Sequence, residues 1–177
     1  MNQIILFCLI VLLANSVKGQ INLEAQAGGS NFLGLTINVT KEIKLSENRN
    51  IFFNPSMGFG FLLPGWDIPT KIIHAGLNFK YRRLGLGIEG SWFINNLFVR
   101  KDKSEDSDLI KLLIYPNVNY TFIDKNRWYL RVSTGACFAF EKQRTSANLE
   151  IDHWKLSFAG DVIPGAGINI GYKFGKH

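Results

Sequence analysis

Glu24, Glu42, Glu89 and Glu141 stand against Lys44, Lys80, Lys111, Arg131 and Lys173, with His74 among them, at positions that alternate with apolar residues. Charges repeating at period two share one face of extended strands. If that face is enclosed, each charge must pair or keep water, because an isolated buried ion costs several kcal/mol. Glu24, Glu42, His74, Lys80, Glu89, Lys111, Arg131, Glu141 and Lys173 are therefore expected to form an internal network of ion pairs and hydrogen bonds. One part of the set has a sharper chemistry. A histidine, a serine and a carboxylate are the parts of a nucleophilic hydrolase, and His74 with Ser91 or Ser56 and Glu89 supplies them. No histidine has a serine within two residues of it, so only the fold can bring those groups together.

Gly85-Leu86-Gly87-Ile88-Glu89-Gly90 spells GxGxxG. Dinucleotide binding needs that motif between a strand and a helix, whereas here it lies inside an alternating run with no helix behind it. No His/Cys/Asp cluster has metal-ligand spacing, and no cofactor is expected. The balance of 20 basic and 14 acidic residues gives +6, but Arg100, Lys101 and Lys103 stand beside Glu105, Asp106 and Asp108. Such a mixed, solvated stretch does not point to nucleic acid.

The elements that must hold these residues begin after a leader. Ile4 to Leu13 is an unbroken apolar run of ten, ending in small residues before Gln20. It is too short for a membrane-spanning helix, which needs about 20 residues, and fits a secretory signal cleaved after Gly19. Residues 1–19 are thus expected to be removed and 20–177 to form one domain. Cleavage removes Lys18 and Cys8, leaving Cys137 as the single thiol, so no internal disulfide is expected.

From Ile21 onward, eight runs of alternating polarity follow, separated by polar turns such as Ser46–Asn50, Arg82–Arg83 and Asp124–Asn126. Within them Pro55 and Pro116 each remove a ladder hydrogen bond, and a bulge or kink is expected at both. An even number of antiparallel strands with short turns predicts an all-β, eight-stranded up-and-down barrel. The glycines decide which face is inside. Eleven of the 17 lie on the polar face and only Gly90 on the apolar one. An eight-stranded barrel has room inside for small and polar side chains, not for the bulky set, so the apolar face points outward. A barrel with that exterior is a transmembrane one. Tyr81, Tyr120, Phe122, Trp128, Tyr172 and Phe174 fall toward one rim, and Phe59, Phe61, Trp92, Phe138 and Phe140 toward the other, as two membrane interfaces select. Short turns face the periplasm and longer loops the outside. The last loop contains its own alternating segment, Leu149 to Phe158, read as a hairpin arm beyond the membrane, with a further membrane strand as the alternative.

The opening Leu23-Glu24-Ala25-Gln26-Ala27-Gly28-Gly29 and the final Pro164 to Phe174 resemble the small outer-membrane β-barrel proteins of Gram-negative bacteria, especially those of the Bacteroidota. The terminal aromatic is similar to the signal read by the barrel-assembly machinery, although Gly175-Lys176-His177 follow it. That resemblance implies a location in the cell outer membrane, with lipid and lipopolysaccharide as neighbours. Lys142, Arg144 and Lys155 suit lipopolysaccharide phosphates. The expected protein is a monomer with a narrow polar-plugged lumen, acting structurally or in surface interaction through loops 97–108 and 142–162. Two alternatives stand beside it: a hydrolase that modifies outer-membrane lipid, and a soluble periplasmic ligand-binding barrel.

Overall fold

The computed structural model describes residues 19–46, 49–62, 70–94, 109–143, 153–157 and 163–174, with only the backbone described at 109, 141–143 and 153–157. The leader assigned to 1–19 falls outside these residues as far as position 18, as do most of the loops 97–108 and 142–162.

Nine strands form among the described residues: β1 (Gln20–Gly28), β2 (Gly34–Lys44), β3 (Ile51–Leu62), β4 (Lys71–Tyr81), β5 (Leu84–Phe93), β6 (Leu109–Asp124), β7 (Trp128–Gln143), β8 (His153–Ser157) and β9 (Ile163–Phe174). Neighbours are antiparallel in the order β6-β5-β4-β3-β2-β1-β9-β7, and β6 also pairs with β7, closing an eight-stranded barrel. The polar turns at 45–50, 82–83 and 125–127 gather with the start of β1 and the end of β9 at one rim, the turn end. The opposite rim, the loop end, carries the longer connections. Followed from Ala166 through Thr134, Val118, Leu86, Phe79 and Phe53 to Ile43, the ladders reach the beginning of β1, although Ala166 itself adjoins its end. The strands are therefore tilted, as closure of a barrel demands.

β8 is not a ninth barrel strand. β9 pairs with β7 from Trp128 to Cys137, and β8 takes over from Ala139 to Gln143. Within 149–158 the described strand is His153–Ser157, which pairs with the end of β7 outside the closed barrel rather than forming a further barrel strand.

The two prolines correct an expectation. Neither makes a bulge, because the registers Asn54↔Asn78, Pro55↔Leu77, Ser56↔Gly76 and Ile88↔Pro116 run on unchanged. In an antiparallel strand each residue aims its N–H and C=O at one neighbour only. Pro55 interrupts just the β2 ladder, between Thr40↔Ser56 and Ile43↔Phe53. Pro116 does the same to β7, between Ile114↔Phe138 and Asn117↔Gly135. The register shifts lie elsewhere, at Ile110/Leu112 and Thr121/Ile123.

Alternation sorts the faces as the glycines require. In β1 and β2 the polar residues Asn22, Glu24, Gln26, Thr36, Asn38 and Thr40 are buried, while Ile21, Leu23, Leu35, Ile37 and Val39 are exposed. The exterior is apolar all round, with Phe59 at 72% and Leu86 at 65% exposure.

Candidate functional site: the barrel interior

The interior is built in layers from loop end to turn end. Uppermost, Leu62, Ile72, Phe93, Leu113 and Ala139 form a buried apolar cluster, with Phe32 and Ile110 packed on it. Each of those five belongs to a strand end nearest the loops. A uniformly polar lumen was expected; the loop end is instead closed by hydrocarbon. The sequence signal lies at the strand ends, where Ile72, Phe93 and Leu113 interrupt the polar face with large apolar residues.

Beneath that cap lies the short β1–β2 connection at the loop end. Gly29–Asn31 folds inward as a 3-10 turn with all three residues buried. The inward fold needs left-handed backbone at Gly28 (φ 74°) and Gly29 (φ 62°), which glycine adopts without steric cost. Ser91 Oγ lies 2.7 Å from Asn31 Oδ1, to which it donates, 2.9 Å from Ser30 Oγ and 3.3 Å from His74 Nδ1. Ser30 Oγ is 3.2 Å from the same histidine nitrogen. The Tyr115 ring supports Gly29 from below, with its hydroxyl donating to the Gly165 carbonyl at 3.2 Å. The Cys137 thiol is buried beside Gly29, 3.7 Å from its carbonyl oxygen.

The next layer centres on Glu89. Gln26 Nε2 donates to its carboxylate at 2.6 Å and Asn117 Nδ2 at 3.3 Å, while Asn38 holds the other end of Gln26 at 2.9 Å. Below it lies Glu24, only 1% exposed. Arg131 Nη2 donates to both its oxygens at 2.8 and 2.9 Å, Tyr129 donates at 2.5 Å, and Asn169 Nδ2 also donates to it. Four charge-assisted bonds thus saturate one carboxylate.

At the turn-end mouth, Asp124 bridges Lys80, at 3.0 Å, and Lys173, and Lys80 also reaches Glu42 at 3.7 Å. Burial alone would raise the Asp124 carboxyl, but hydrogen bonds and attraction from Lys173 and Lys80 outweigh it and hold the group below its usual range. Asn22, Thr40 and Asn54 carry side-chain oxygens that accept no protein hydrogen bond, and they line a cavity of about 10 Å³ with Lys80, Arg131 and Lys173. That is room for a single water.

The fold gathers Glu24, Glu42, Lys80, Arg131 and Lys173 toward the turn end, and sets Glu89 and then His74 above them. Lys111 stands apart, half-buried at the Ile110/Leu112 register shift. The Glu141 side chain lies outside the described residues. The hydrolase geometry is incomplete: His74 meets Ser91, but Glu89 turns to Gln26 and Asn117, and no hydrogen bond joins it to His74 among the described residues. The GxGxxG glycines lie within β5, where Gly85 and Gly87 adjoin Asn119, Asn78 and Asn117. Sequence reasoning that weighed charges missed the uncharged partners Gln26, Asn117, Tyr129 and Asn169, and Asp124 in its turn. Their signal was position, since all four uncharged residues fall on the polar period.

Family models, curated proteins and solved structures offer no match to this chain, so its chemistry is read from these side chains alone.

Proposed function

We propose that this chain is an outer-membrane β-barrel, sealed along its axis, with a structural or surface-interaction role carried at its loop end. One observation carries the reading: the barrel is inverted relative to a water-soluble protein. Leucine, isoleucine, valine and phenylalanine cover the outside, while Glu24, Glu89 and Arg131 are enclosed. In water such an exterior would aggregate; in hydrocarbon it is the solvated surface. Aromatic contacts at the turn end fit a membrane interface, with Trp128, Tyr172 and Phe174 stacked edge to face along one rim.

The interior argues against the two other readings. A soluble ligand-binding barrel needs a lumen large enough for its ligand, and the turn-end cavity admits one water. A lipid hydrolase needs a nucleophile that lipid can reach, yet Ser91, the candidate serine that meets His74, is fully buried beneath an apolar cap, and no hydrogen bond joins the half-buried Ser56 to His74 among the described residues. The sealed axis also counts against conduction. The β6–β7–β8 extension, which rises beyond the barrel, offers a surface for contact with the outside.

Cell fractionation with electrophoresis of unboiled and boiled samples tests the proposal. The expected result is recovery in the outer-membrane fraction with a mobility that shifts on boiling. Recovery in the soluble periplasm with no shift would overturn it.

A further inference from the structure

At the turn end Lys44, Arg49, Arg82, Arg83, Lys125 and Arg127 are all exposed. The acids described there, Glu42 and Asp124, are engaged by Lys80 and Lys173, and Glu47 lies outside the described residues. The described turn end therefore carries a basic collar.

That collar adjoins the aromatic rim. Arg82 lies over the ring of Tyr81, 5.4 Å from its centroid, and Arg127 immediately precedes the exposed Trp128. Aromatic side chains at headgroup depth, with guanidinium and ammonium groups just beyond them, match the chemistry of an anionic lipid headgroup, whose phosphate lies outside the acyl boundary. We propose that the collar selects anionic phospholipid, such as phosphatidylglycerol, from the leaflet at the turn end. The inference rests on the reading of this barrel as membrane-spanning. It adds a partner to that reading, bound by Arg82, Arg83, Lys125 and Arg127. These exposed side chains hold their charges in water, so the attraction is salt-sensitive.

The test uses the full mature chain refolded into phosphatidylcholine vesicles, with boiling-dependent mobility checked first. Insertion there depends on the apolar belt and not on the collar. Spin-labelled phosphatidylglycerol and phosphatidylcholine then compete for the barrel surface. The expected result is a preference of roughly threefold for phosphatidylglycerol, falling to parity in about 1 M salt. Combined Arg82→Gln, Arg83→Gln, Lys125→Gln and Arg127→Gln substitution should abolish it while the mobility shift persists. If that variant does not refold, Arg82→Gln with Arg83→Gln alone should halve it. A barrel that inserts but shows no preference, or one that the substitutions leave intact, overturns the collar and spares the membrane reading. Failure to insert overturns both. Salt-sensitive co-sedimentation with peptidoglycan in the absence of lipid preference would reassign the collar to an acidic polymer and overturn the proposal.

Discussion

Arg131 and Glu24, 107 residues apart in the chain, meet inside the barrel with one guanidinium nitrogen 2.8 and 2.9 Å from the two carboxylate oxygens. Arg131 belongs to β7 and Glu24 to β1, with β9 between them. The pair therefore spans the seam where the two ends of the chain close the barrel. Both groups are shielded from water, so removing one strands the other. Arg131→Met should destabilise the barrel by about 3–5 kcal/mol, and Glu24→Leu by a similar amount. The double variant should recover most of that loss, since two apolar residues leave no buried charge. Urea titration of the boiling-dependent mobility in micelles measures all three. A double variant as unstable as the sum of the singles would show that the pair acts independently.

Gly171 explains how a third strand is crossed. It is the register partner of Glu24 on one side and of Tyr129 on the other. A Cβ added there would lie 2.0 Å from the Tyr129 ring, so the ring occupies the space that glycine leaves on its way to Glu24. Gly171→Ala should cost about 1–3 kcal/mol by overpacking. Adding Tyr129→Ala should relieve the clash. Gly90→Ala is the control: on the outer face nothing approaches its Cβ closer than 3.9 Å, and that change should be neutral within about 0.5 kcal/mol.

The outer face gives the sharpest contrast between lipid and water. Ile88 is at the middle of β5, half exposed, between Leu77 and Pro116. Ile88→Arg should lower stability in vesicles by about 2–4 kcal/mol, and Leu84→Arg at the turn-end rim by no more than about 1 kcal/mol. Equal, small losses at both positions in refolding measurements would contradict a lipid-facing exterior.

These residues show where the sequence speaks. The direction of Ile88, Glu24 and Gly171 follows from period-two alternation, because a strand offers each residue only two sides. Barrel closure followed from the count of runs and the shortness of turns. The inward fold of Gly29–Asn31 was not legible, since a Gly-Gly-Ser-Asn turn reads the same whether it faces water or fills a lumen. The apolar cap was hidden for a related reason. Leu62, Ile72, Phe93 and Leu113 come from the ends of four neighbouring strands, and the pairing register, with Ile72 opposite Phe93, brings them together. Partner choice within the polar face was equally obscured. Glu89 goes to Gln26 and Asn117 rather than to His74, which depends on side-chain reach across the lumen and not on spacing along a strand.

The cap yields its own prediction. Phe93 is fully buried against Leu62, Ile72 and Leu113. Phe93→Ala should cost about 3–5 kcal/mol through lost burial and the cavity left behind. Phe93→Leu should cost less, since much of the volume is kept. Thermal midpoints of the mobility shift would separate the two, and an equal loss in both would assign the role of Phe93 to its ring shape instead of its bulk.

At the turn-end mouth the same method can be turned on pH. Asp124 is the last residue of β6, past the exposed Tyr120 and Phe122, and its carboxyl is held below the usual range by Lys173 and Lys80 against the opposing effect of burial. A carboxyl lowered in the folded state contributes stability above its unfolded value, near pH 4, and loses it as pH falls through the folded value. Wild-type stability should therefore decline as the pH is lowered below about 4. Asp124→Asn should be less stable at neutral pH by about 0.5 kcal/mol, the modest size reflecting partial exposure. Its own acid-side decline should be shallower. Lys80→Met with Lys173→Met should likewise remove the Asp124 contribution to the profile. Urea midpoints of the refolded barrel between pH 7 and pH 3 would measure this, and parallel wild-type and Asp124→Asn curves across that interval would show that the aspartate is not held by its lysines.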